Sequence, residues 1–219
     1  MAKRPNHSDA QVIEQSRVAI DNAQNQPLIA STMAEFGYDA EELKKGKQIW
    51  LNASNAYKLN LTEDDETNQA YENYISVKSD VEDSYKLHRK KAKVVFRNDP
   101  VTLEKLGIKG SEPKAHVKWV VIVKKFYTTA IADTEIQTKL ARLKITPEEL
   151  TAVSTSVSKL ETARSEYLRE KGESQDATKV KDKAIASLDD WMSEFYAVAK
   201  IAMEDNIQLL ESLGKTIKS

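Results

Sequence analysis

Residues 65–97 read DETNQAYENYISVKSDVEDSYKLHRKKAKVVFR. Ala70, Tyr74, Val77, Val81, Tyr85, His88, Ala92 and Val95 recur there at steps of three and four, with no Gly or Pro between them. That spacing draws one stripe along an α-helix, four turns or more in length, of the kind that packs against neighbouring helices. The same freedom from Gly and Pro holds from Lys47 to Asp99 and from Glu173 to Leu213. Across 219 residues there are only 6 Gly and 5 Pro, where about 12% together is ordinary. No segment keeps the alternation of a β-strand for more than a few residues, so the expected class is all-α.

Helix punctuation divides the chain further. Asp39 with Glu42, and Thr146-Pro147 with Glu149, have the form of N-caps. Thr62 followed by Glu63, Asp64, Asp65 and Glu66 reads as another helix start, and Gly172 as a helix stop. Helices are therefore expected at about 10–36, 40–61 and 65–97, with a short piece at 100–106, and then at about 114–143, 147–171 and 174–213.

Sliding the sequence along itself by 107 residues, without gaps, reveals a repeat. Residues 23–107 and 130–214 share 18 identities in 85 positions, about 21%, against about 6–7% for unrelated chains. Glu41-Glu42-Leu43 falls on Glu148-Glu149-Leu150, and Leu103-Glu104 with Leu106-Gly107 falls on Leu210-Glu211 with Leu213-Gly214. We read a tandem duplication of a three-helix unit, giving an antiparallel six-helix bundle. Residues 1–107 form the first repeat, 108–113 a linker or hinge, and 114–219 the second, with merging into one bundle left open. Asp99-Pro100 is expected to break the last helix in the first repeat only, since Asn206-Ile207 can continue it. Pro27 likewise threatens the first helix, whereas its counterpart Thr134 does not.

Gly172-Glu-Ser-Gln-Asp-Ala-Thr178, Leu188-Asp-Asp-Trp-Met192 and Leu209-Leu-Glu-Ser-Leu-Gly214, with Phe36-Gly-Tyr-Asp39 and Gly46, resemble a family of uncharacterised all-helical bacterial proteins of about this length. The resemblance covers almost the whole chain. It implies a helical fold and a cytoplasmic setting, and brings no activity or site residues.

Composition narrows the chemistry. Without cysteine there are no disulfides, thiol nucleophiles or thiolate metal sites. The histidines are His7, His88 and His116, and none lies three residues after a Glu, so the Glu-x-x-His pairs of di-metal bundles are missing. Glu112 and His116 could share a helix face. No phosphate-cradling Gly-rich loop occurs. Trp50, Trp119 and Trp191 lie on apolar helix faces and read as core. The most apolar run, Trp119 to Val123, is far short of the roughly 20 residues of a membrane span. The opening MAKRPNHSDA lacks a signal-like apolar region, so the expected location is cytoplasmic.

One asymmetry is left. Formal net charge is -1, yet residues 39–85 carry 11 acidic and 5 basic residues, whereas 86–125 carry 12 Lys/Arg and 3 acidic ones. Arg89, Lys90, Lys91, Lys93 and Arg97 are the densest part and the candidate partner-binding residues. Read this way, the chain is a non-catalytic structural, scaffolding or interaction protein that needs no cofactor. Its partner is a protein, including a second copy of itself, with no membrane involved. The alternative is an anionic partner such as nucleic acid bound by residues 86–125, which the lack of interleaved aromatics disfavours. A metal-dependent bundle enzyme ranks third.

Overall fold

The computed structural model describes residues 8–214. Among these, eight α-helices and one 3-10 turn account for the regular structure, and there is no strand. The helices are α1 (Asp9–Asn25), α2 (Pro27–Glu35), α3 (Ala40–Val95), α4 (Pro100–Lys105), α5 (His116–Ala132), α6 (Thr134–Ala141), α7 (Pro147–Ala202) and α8 (Leu209–Ser212). The chain is all-α.

Several expected boundaries move. The segments 40–61 and 65–97 are one helix of 56 residues, and 147–171 joins 174–202 in another of the same length. Thr62 caps nothing; its hydroxyl donates to the Lys58 carbonyl one turn back. Gly172 has no left-handed φ and lies inside α7. Each long helix is anchored in a core on either side of these positions, which outweighs the roughly 1 kcal/mol that an interior Gly costs. The second repeat also breaks its last helix: α7 ends at Ala202, a 3-10 turn covers Glu204–Asn206, and α8 follows. Met203, Leu210 and Leu213 are all buried, and a straight continuation could not return the latter two to one core. Likewise α5 and α6 are separate helices, because Asp133 stops the first and caps the second by accepting from the amides of Glu135 and Ile136.

Other starts follow the expected caps. The Asp39 carboxylate accepts from the amides of Glu41 and Glu42 at 2.9 and 3.0 Å. Thr146 and Glu149 exchange side-chain and backbone bonds at 3.1 and 3.2 Å, a full capping box. Asp99 accepts from the Thr102 amide, with Pro100 at the first helical position.

Two compact units result, residues 1–65 with 172–219 and residues 66–171. They do not follow the sequence division at 108–113: that segment lies inside the second unit, and the boundaries fall within α3 and α7. Each long helix gives one half to each core.

The first unit packs Ile20, Ile29, Met33 and Leu43 with Leu188, Phe195, Met203 and Leu213. Polar contacts fix its register: Trp50 Nε1 donates to the Ile13 carbonyl at 3.0 Å, Asn22 to the Ser212 carbonyl at 2.6 Å, and Asn60 to Thr178 at 3.2 Å. Trp191, expected in the core from its apolar helix face, is only partly buried and packs against this cluster.

The second unit is built on Val81, Tyr85, Phe96, Phe126, Tyr127, Leu140, Leu150 and Leu160. Tyr85 meets Phe126 edge-on, with centroids 5.7 Å apart. Ile108, in the expected linker, is fully buried here, so the segment does not act as a free hinge.

Candidate partner-binding surface

The five candidate cations occupy the last turns of α3 and the residues just beyond it, and the structure separates them into two groups. Arg89 and Lys93, one turn apart, face the loop after α4 and both donate to the Gly110 carbonyl, at 2.7 and 2.8 Å. The chain there turns through left-handed glycines at Gly107 (φ 72) and Gly110 (φ 92), a conformation only Gly adopts cheaply. These two side chains hold the loop in place, so their part in the basic run is structural.

Lys90 is exposed, Lys91 partly buried and Arg97 exposed. Arg97 lines a shallow pocket of about 350 Å³ together with Val94, Val95, Asn98, Arg142 and Leu143. Two guanidinium groups and no carboxylate border it. Among the described residues neither Arg97 nor Arg142 makes a hydrogen bond or ion pair. Arg142 escaped the sequence reading because it stands alone in the chain, 45 residues from Arg97; only the fold joins the ends of α3 and α6.

Much of the remaining positive charge is neutralised by acids beyond the 86–125 window. Lys105 pairs with Asp133 at 2.7 Å and Lys124 with Glu161 at 2.8 Å, while Lys86 lies 3.8 Å from Glu82. Lys109 pairs with Glu104 at 2.9 Å. The sequence window overstated the free charge because helix packing brings anions in from elsewhere.

His88 is buried, with Nδ1 3.1 Å from the Tyr127 hydroxyl. Burial lowers its pKa, and the charge of Lys91 acts in the same direction. The Glu112–His116 pair lies beside a second pocket, of about 450 Å³, with Tyr74, Lys86 and Lys114. There Glu112 accepts from Trp119 Nε1 at 2.6 Å, and His116 Nδ1 lies 3.5 Å from the Tyr74 hydroxyl. Both groups are thus engaged by aromatic neighbours. His7 lies outside the described residues.

No family model, curated protein or solved structure matches this chain. Among the described residues, no helix is long and apolar enough to cross a membrane.

Proposed function

We propose that this chain is a non-catalytic interaction protein, built by duplication of a three-helix repeat, that recognises a protein partner through charged surface at its helix ends. The observation carrying this reading is the pocket between Arg97 and Arg142, two cations without an internal anion flanked by apolar side chains. A charge left unpaired beside apolar surface suits a partner that supplies both the anion and the contact area.

The duplication is supported by agreement in register. Asp9 and His116, Pro27 and Thr134, and Ala40 and Pro147 begin successive helices and stand 107 residues apart. Left-handed φ angles recur at Gly37 and Lys144, and at Gly107 and Gly214, at the same offset. Leu43 with Leu150 and Val81 with Leu188 are buried alike. An antiparallel pairing of α3 with α7 accords with contacts in the first unit, where Glu42 meets Trp191, Asn60 meets Thr178 and Asp64 meets Ser174.

The test is affinity capture and sedimentation of the full chain across a salt series. Partner binding that weakens with salt and is lost in Arg97→Glu/Arg142→Glu supports the reading. Binding indifferent to both residues refutes it. Tight, steeply salt-dependent heparin binding by the wild type would instead favour an anionic polymer as partner.

A further inference from the structure

The two repeats place opposite charges at equivalent helix ends. At the offset of 107, Arg97 corresponds to Glu204, Asn98 to Asp205 and Arg142 to Glu35. Arg97 and Arg142 follow the ends of α3 and α6 in the second unit; Glu35 ends α2, and Glu204 and Asp205 follow α7, in the first. Met33 and Met203, next to these acids, belong to one buried cluster, as Phe96 and Leu140 do beside the arginines. All five charged residues are exposed, and among the described residues none has an ion pair.

The apolar residues around them are alike, not opposite. Val94 is 57% exposed and its counterpart Ile201 61%. Phe36, 46% exposed, corresponds to Leu143 at the rim of the arginine pocket. The exposed apolar positions thus match in kind while the charges beside them invert. Helix C-termini favour cations, which accounts for Arg97 and Arg142, and Glu204 and Asp205 open the 3-10 turn after α7, but Glu35 at the end of α2 gains nothing from its place.

We propose that copies of this chain dock head to tail: the Arg97–Arg142 pocket of one copy receives Glu35, Glu204 and Asp205 of the next, with Val94 and Leu143 against Ile201 and Phe36. The proposal rests on the duplicated interaction protein described above and names its partner. Guanidinium groups suit the role because each can bind a carboxylate through two parallel hydrogen bonds. Exposed ion pairs alone hold little, so charge sets partner and register while the apolar residues supply affinity. Each copy keeps one face of each sign, and a contact between unlike faces that does not close by rotation continues as a filament.

Sedimentation velocity on the full chain, over a concentration series at low and high salt, reads this directly. The wild type associates at low salt and dissociates as salt rises. Reversing one face, Arg97→Glu/Arg142→Glu or Glu35→Arg/Glu204→Arg/Asp205→Arg, weakens association about tenfold or more. Mixing the two reversed variants restores association, and a chain with both faces reversed associates with itself again. If a reversal lowers the helical circular dichroism, the neutral Arg97→Gln/Arg142→Gln and Glu204→Gln/Asp205→Asn variants replace it, with the same loss expected. A wild type that is monomeric throughout overturns the proposal, as does association unaffected by either face or a mixture that fails to associate. If that monomer binds heparin through Arg97 and Arg142, the interaction reading survives with an anionic polymer as partner. If it captures an unlike protein through Arg97 and Arg142 instead, the interaction reading stands without self-docking; if it binds none of these, both fall.

Discussion

Trp191 abuts Gly46: a methyl group built on the buried glycine would overlap the indole ring, only 2.7 Å from Cζ3 and closer still to two other ring atoms. The ring cannot step aside. Its Nε1 donates to Glu42 at 3.1 Å, Phe195 stacks on it at 15°, and Tyr38 meets its edge. Gly46→Ala should therefore destabilise the protein by about 1–3 kcal/mol through overpacking, despite the roughly 1 kcal/mol of helix propensity that Ala brings. Urea denaturation reads this, and in a Trp191→Leu background the cost should shrink or reverse. Equal costs in both backgrounds would dissociate the glycine from the tryptophan.

Gly172 is the opposite case. It lies in the same kind of helix, is exposed, and an added Cβ would meet nothing within 4 Å. Gly172→Ala should raise stability by about 0.5–1 kcal/mol, seen as a higher urea midpoint with unchanged slope. A loss of stability would mean that Gly172 answers to something other than helix propensity.

These two glycines mark where the sequence was legible. Heptad-like spacing of Val77, Val81, Tyr85 and Ala92 announces helix regardless of what the helix packs on, and so all-α was readable. Gly172 and Thr62 looked like boundaries because capping chemistry is local; the cores that anchor each long helix on either side of them decide otherwise and are not local. Helix α7 ends at Ala202 for the same reason, since Leu210 and Leu213 must return to a core formed by residues far away in sequence. Within the candidate site, Arg97 was visible as part of a basic run, whereas Arg142 became visible only when the fold brought two helix ends together. The structural duty of Arg89 and Lys93 was hidden because their acceptor is a backbone carbonyl, which has no signature in side-chain chemistry.

His88 predicts a pH dependence. Burial holds its pKa below the ordinary 6.5, with Lys91 adding to the shift and Glu149 opposing it. Because the unfolded chain accepts the proton more readily, the contribution to stability is full above pH 6.5. It declines as pH falls from there toward the lowered folded value. At the offset of 107 the counterparts of His88 and Tyr127 are Phe195 and Ile20, so the first core manages with apolar groups. His88→Phe/Tyr127→Phe should flatten the decline between about pH 7.5 and pH 5.5 relative to wild type, as read by urea midpoints. His116, also lowered by burial, is present in both proteins and cancels in the comparison. Parallel curves for the two would remove His88 as the titrating group.

Finally, the basic run should divide under mutation as it divides in space. Arg89 and Lys93 converge on the Gly110 carbonyl, and Ile108 beside it is fully buried. Arg89→Ala/Lys93→Ala removes both donors, and with charged donors about 1–3 kcal/mol is at stake. Amide hydrogen exchange should accelerate across residues 107–115 while the centre of α5 stays protected. Lys90→Ala/Lys91→Ala makes no such change, because neither side chain bonds to the loop among the described residues. Uniform exchange in the wild type and both double variants would show that the loop holds without its cations. The distinction matters for docking: reversing Arg89 or Lys93 disturbs the loop directly, so lost association in those variants carries no information about a partner face. Arg97 and Arg142, which bond to nothing described in the chain, are where a docking defect can be read cleanly.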